Sequence, residues 1–219
     1  MSYPRAGEPR PAALPPETRT VGQVVAESIR IYGEKFLRCL AIGVVPAALT
    51  LASAHVSRRL ALILTPTLYG ALLSATFVYA STVVLEQRPP RRQLVRAWLA
   101  GWLVFIPAPF LLLGFILPAV AWLAALGLVV PVIVVEDLRV RAAFARAWQL
   151  ARADYVHVLG SLATLAILVI VTQGVLAFMI RGAAAEALET AFVLASVVIS
   201  PLVFIGAALV YVDQTARVE

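Results

Sequence analysis

Apolar and polar positions alternate along this chain on a long scale. Six predominantly apolar runs lie at about residues 37–54, 61–85, 98–114, 117–135, 158–179 and 190–212, separated by short polar or basic stretches. Each run is close to the length a helix needs to cross a bilayer. Two other stretches carry a shorter period. Between about residues 20 and 36, Val21, Val25, Ile29, Tyr32 and Phe36 recur at helical spacing. Between about 139 and 157, Val140, Phe144, Trp148, Ala151 and Tyr155 do the same. An apolar stripe beside charged positions is the pattern of a helix lying at a membrane interface. The fold class these patterns predict is an all-α membrane protein: six transmembrane helices with amphipathic interfacial helices on the cytoplasmic side.

Punctuation refines the elements. Thr20 and Gln23 have the spacing of a capping box and start the first amphipathic helix. Pro46, Pro107, Pro109 and Pro201 fall inside runs and predict bends. Gly70 and Ser74 repeat four residues apart, as do Ala71 and Ala75, which permits a close helix crossing. Residues 1–20 carry five prolines and almost no large apolar side chain, so they read as a disordered cytoplasmic tail. The six-span domain then occupies 21–213, and 214–219 is a short cytoplasmic tail. Three units, 21–86, 91–137 and 139–213, each read as a basic or amphipathic lead-in followed by a membrane hairpin.

Composition agrees. The chain is 62% hydrophobic and 14% charged, against roughly 45–50% and 25% for soluble domains. Its formal net charge is +6, but the basic residues flank apolar runs, which points to topology and lipid headgroups rather than nucleic acid. The N-terminal region, the 86–97 loop, the 136–157 segment and the C-terminus hold 15 of the 18 basic residues. The positive-inside rule therefore places both termini in the cytoplasm of a multi-pass protein of the plasma membrane. Lys35 is the only lysine, a bias that fits a GC-rich bacterial genome. The one cysteine, Cys39, excludes an internal disulfide or a cysteine metal cluster.

The segment from Glu136 to Gly160 carries a motif. An acid follows an apolar run. Ala143, Arg146, Trp148, Leu150, Arg152 and Tyr155 come next, and Val158-Leu159-Gly160 enters the following run. In this it resembles the membrane domain associated with glycerophosphoryl diester phosphodiesterases and related uncharacterised bacterial integral membrane families. Tyr211, Asp213 and Arg217 match that family's closing motif, and the opening TVGQVVAESIRIYGEKF its lead-in. Ala147 stands where the family tends to have serine, Ala153 and Val156 where glycine and tryptophan are usual, and Thr215 where an arginine is usual. The resemblance implies a six-span helical module of undefined biochemistry, with Glu136, Gly160, Tyr211, Asp213 and Arg217 as structural motif residues.

No set of side chains dictates a reaction. His55 and His157 fall at opposite ends of their runs and cannot share a metal. The adjacent acids Glu136 and Asp137 do not share a helix face. Catalytic, cofactor and metal sites are therefore not expected, and pairing with nearby arginines is the expected role of Glu136. The reading that remains is a non-catalytic module. Arg139, Arg141, Arg146, Trp148, Arg152 and Tyr155 would contact anionic lipid headgroups or a membrane protein partner at the cytoplasmic leaflet. The alternative is a transporter of a lipidic or uncharged solute, built on proline-broken helices. A lipid phosphotransferase or hydrolase comes third.

Overall fold

A computed structural model describes residues 15–114 and 116–218. Residues 1–14 of the proline-rich stretch, Phe115 in the turn expected at 114–117, and residue 219 lie outside the described residues. Every regular element among the described residues is helical. Six stretches are long and apolar enough to cross a membrane: Phe36–Ser53, Arg59–Val84, Arg91–Leu111, Ile116–Glu136, Tyr155–Met179 and Glu186–Val218. Each overlaps one of the six runs read from the sequence.

Helix α1 (Val21–Glu34) starts at the expected capping box, where the Thr20 N–H donates to Gln23 Oε1 at 2.7 Å. Lys35 breaks the helix, and α2 (Phe36–His55) follows directly. The second apolar run is α3 (Arg58–Leu64), a π-turn at Thr65–Tyr69, and α4 (Gly70–Val84). Pro66 lacks an N–H and loosens the helix there. Its carbonyl is taken by the Trp102 indole at 3.2 Å. The third run starts earlier than expected. Residues 91–97, placed in a loop by their arginines, form the first turns of α5 (Arg91–Phe105). The charges are tolerated because they fall on its first two turns, outside the apolar part. The bend expected at Pro107 is a break between α5 and α6 (Ala108–Gly114). The fourth run is α7 (Ile116–Leu126), a turn at Gly127–Leu128, and α8 (Val129–Glu136). Then come α9 (Val140–Ala153), α10 (Tyr155–Met179) and α11 (Ala185–Val218).

Helix α11 is the axis of the bundle and packs on α1, α2, α4, α9 and α10. Gly43 makes one of these contacts, since a Cβ there would overlap the Val197 carbonyl oxygen. The fourth run is the most enclosed, with 61% of its apolar window buried, against 6% for the fifth. Val129 to Val134 of α8 are all buried, as a helix apolar all round requires. The small-residue crossing of α4 on α5 forms at Gly70 and Ser74. The Ser74 hydroxyl donates to the Trp98 carbonyl at 2.7 Å, and Trp102 packs on Gly70.

Three corrections concern the lead-in helices and the ends. Helix α1 turns Val24, Ser28 and Ile31 into the protein and leaves Ile29 exposed, as is Phe36 at the start of α2. Helix α9 buries Ala143, Ala147, Leu150 and Ala151 and leaves Trp148 exposed. In both, the docking face lies roughly a quarter-turn from the apolar stripe read from the sequence. Small side chains let the helices approach closely, so the bulky ones are displaced outward. The expected tails also shrink. Pro16–Thr18 forms a 3-10 turn and Arg19 is buried. Residues 214–218 continue α11, with Gln214 fully buried.

Candidate functional site

The ends of α4, α8 and α11 and the starts of α2, α5 and α10 meet at one end of the bundle, and most of the inter-helix ion pairs among the described residues are gathered there. Helix α8 ends at Glu136, and Asp137 takes a left-handed backbone, φ 54° and ψ 30°, which aspartate tolerates better than most residues. The turn separates the two adjacent carboxylates. Glu136 accepts from the Tyr211 hydroxyl at 3.1 Å, and Arg146 Nε lies 3.3 Å from its other oxygen. Asp137 pairs with Arg96, which also donates to the Leu138 carbonyl at 3.4 Å.

The two arginines belong to a repeated tripeptide, Arg96-Ala97-Trp98 in α5 and Arg146-Ala147-Trp148 in α9. In each copy the alanine is fully buried. The buried positions share one spacing in all three lead-in helices: Val24, Ser28, Ile31; Gln93, Ala97, Ala100; and Ala143, Ala147, Leu150. Gln93 donates to the carbonyls of Ile133 and Val134 at 2.7 and 3.1 Å. It thereby reaches the Val134 carbonyl at the helix end and adds a second donor to the Ile133 carbonyl, which already accepts the Asp137 N–H at 3.1 Å.

A second cluster closes around Asp213, which is fully buried. Arg19 Nη1 lies 3.0 Å from one carboxylate oxygen, and His157 Nε2 lies 3.5 Å from the other. One turn further, Arg217 pairs with Asp154 and donates to the Arg19 carbonyl at 2.8 Å. Asp154 also caps α10, accepting the His157 N–H at 3.1 Å. Residues 211, 213 and 217 of α11 thus reach three neighbours: the end of α8, the segment before α1, and the start of α10. A third pair, Lys35 to Glu86 at 2.6 Å, joins α2 to the end of α4. The hydrogen bond from Lys35 holds the Glu86 carboxyl below its ordinary range. At the opposite end His55 and Glu189 lie 3.5 Å apart.

The six expected contact residues divide. Arg139, Arg141, Arg152 and Trp148 are exposed, and none of the three arginines makes an ion pair among the described residues. The Arg152 guanidinium lies over the Trp148 ring at 6.0 Å. Arg146 and Tyr155 are instead committed inside the protein: Arg146 to Glu136, and the Tyr155 hydroxyl to the Ala121 carbonyl at 2.9 Å. The motif residues come together in two groups, Glu136 with Tyr211 and Asp213 with Arg217's partners, while Gly160 packs against Val21. Sequence reasoning missed Arg19 and Arg96, and weighed Asp154 and His157 only as possible metal ligands. The repeated Arg-Ala-Trp was a signal for Arg96. Arg19 gave none, sitting in a proline-rich stretch.

A cavity of about 160 Å³ lies between the helices, with an almost wholly apolar wall that includes Phe77, Phe105, Leu128 and Phe204. Two helix breaks, after α5 and at Gly127–Leu128, border it. Among the described residues no group of three His, Cys, Asp or Glu side chains is placed to hold a metal ion. No family model matches this chain, and neither does any curated protein or solved structure.

Proposed function

We propose that the protein is a non-catalytic, multi-pass module of the bacterial plasma membrane. Both termini face the cytoplasm, and α1 and α9 lie at the inner interface, where α9 engages anionic phospholipid headgroups. The carrying observation is the division of the α9 arginines. Arg146 is consumed by Glu136, whereas Arg139, Arg141 and Arg152 are exposed and make no ion pair among the described residues, and Arg152 lies over the exposed Trp148 ring. An aromatic ring beside free guanidinium groups suits the depth of lipid headgroups. The outward large apolar residues of α10, such as Ile167, Val171 and Phe178, support placement of the bundle among acyl chains. The motif resemblance adds the same type of module.

The test is lipid selectivity in nanodiscs. Each basic residue at an anionic surface contributes about 1 kcal/mol. Replacing Arg139, Arg141 and Arg152 with glutamine should therefore weaken the preference for phosphatidylglycerol over phosphatidylcholine by roughly a hundredfold. Unchanged selectivity defeats this reading. A protein that copurifies stoichiometrically with wild type but not with the triple variant would make α9 a partner-docking face instead.

One observation favours a second reading, transport of a lipidic or uncharged solute. The apolar cavity is bordered by two helix breaks, and broken helices around a central site are a transporter device. Flux of such a solute into proteoliposomes, reduced by an Ala166→Phe substitution at the cavity wall, would support it.

A further inference from the structure

We propose that the lateral groove between α4 and α5 holds one anionic phospholipid, with its headgroup on Arg88 and Arg91 and an acyl chain laid along the groove. The groove measures about 490 Å³, within the range of ligand sites. Ala75 and Tyr79 of α4 form one wall, Val95 and Trp98 of α5 the other, and Gln87 and Arg88 stand at its mouth.

The walls are rigid. The Trp98 indole donates to the Ala71 carbonyl at 2.8 Å and its ring stacks on Trp102 at 5.8 Å. The mouth is positive and unpaired. Arg91 precedes Val95 by four residues and Trp98 by seven, so it stands on the same helix face, one turn above Val95 and two above Trp98, just beyond the groove lining. Arg88 and Arg91 are exposed and make no ion pair among the described residues. Helix α5 begins after Pro90 without a side-chain cap, so its first N–H groups add to the positive field. Glu86, the acid just before the mouth in the sequence, is already paired with Lys35. A soluble anion would use only the mouth, and an apolar helix would gain nothing from the guanidinium groups. An amphiphile with a phosphodiester head matches both parts. This inference rests on the membrane placement proposed above, but not on α9 binding headgroups.

The full chain, purified and exchanged into phosphatidylcholine nanodiscs, is read by native mass spectrometry. The expected result is one phosphatidylglycerol retained per chain. Ala75→Trp, at an exposed position, fills the groove and should abolish retention. Arg88→Gln and Arg91→Gln should each reduce the preference for phosphatidylglycerol about fivefold. The α9 triple-glutamine variant should keep the groove lipid, which separates this site from the α9 reading. A photoreactive phosphatidylglycerol with a mid-chain diazirine gives a check on wild type that needs no variant. Crosslinks on peptides 75–98 support the site. Retention unaltered by Ala75→Trp, retention of phosphatidylcholine as readily as phosphatidylglycerol, or crosslinks everywhere but 75–98 would overturn it.

Discussion

Removing the Asp213 carboxylate is the perturbation to which the bundle should be most sensitive. Its side chain is wholly buried and the paired Arg19 side chain is only 9% exposed, at 3.0 Å. Two buried ions of opposite sign roughly offset their desolvation, so the pair itself adds little. Deleting one partner is different. Asp213→Ala removes the carboxylate that faces the Arg19 guanidinium and the His157 ring, and breaking a buried pair in this way costs about 3–5 kcal/mol. In a chain of this size each kcal/mol moves the midpoint by about 2–4 °C, so thermal unfolding should begin roughly 10 °C lower. Intrinsic tryptophan fluorescence of the detergent-solubilised protein reads this directly. The double variant Arg19→Ala, Asp213→Ala removes both charges and should recover part of the loss. Asp213→Asn keeps an acceptor and should fall between. An Asp213→Ala shift below about 1 kcal/mol, or a double variant whose effect equals the sum of the singles, would refute the view that this pair holds the helix ends together.

Three further outcomes are expected. Glu136→Ala should destabilise by about 2 kcal/mol, because Glu136 carries both Arg146 and the Tyr211 hydroxyl. Asp137→Ala should stay below about 1 kcal/mol, since that side chain is 62% exposed. Chemical denaturation of the two variants in parallel orders them. Gly43→Ala should cost about 3 kcal/mol, because the added methyl meets the Val197 carbonyl, a backbone atom with little room to yield; accumulation of folded protein after expression measures it. The Glu86 carboxyl should titrate below the ordinary glutamate range by NMR and return to it in Lys35→Gln. A depressed carboxylate stabilises above its unfolded pKa and loses that contribution as pH falls through the folded one. The Lys35 contact should therefore weaken only in acid.

The six long helices were legible because a bilayer-length apolar run needs no tertiary context to be recognised. The faces of α1 and α9 were not. Apolar periodicity locates bulky residues, but a helix packed closely on others turns alanine and serine inward, as at Ala147 and Ser28. The start of α5 was misplaced for a related reason. Arg91, Arg92 and Arg96 read as loop charges, although an arginine-rich first turn is compatible with a helix whose apolar part begins later. At the ion-paired end, the motif positions 136, 211, 213 and 217 could be named from the chain. Their partners could not, because Arg19 and Asp213 stand 194 positions apart and only the folded topology joins them.

The placement of Tyr211, Asp213 and Arg217 near the end of α11 has a consequence for assembly. Their partners, Arg19, Glu136 and Asp154, are all translated earlier. Throughout synthesis Arg19, Glu136 and Asp154 must do without these α11 contacts, while five hydrophobic segments have already emerged. The closing contacts form only once the final helix has been delivered almost to its last residue. The bundle is then completed in a single late event, and a chain stalled before residue 211 leaves the ribosome with its helices present but its fastening absent.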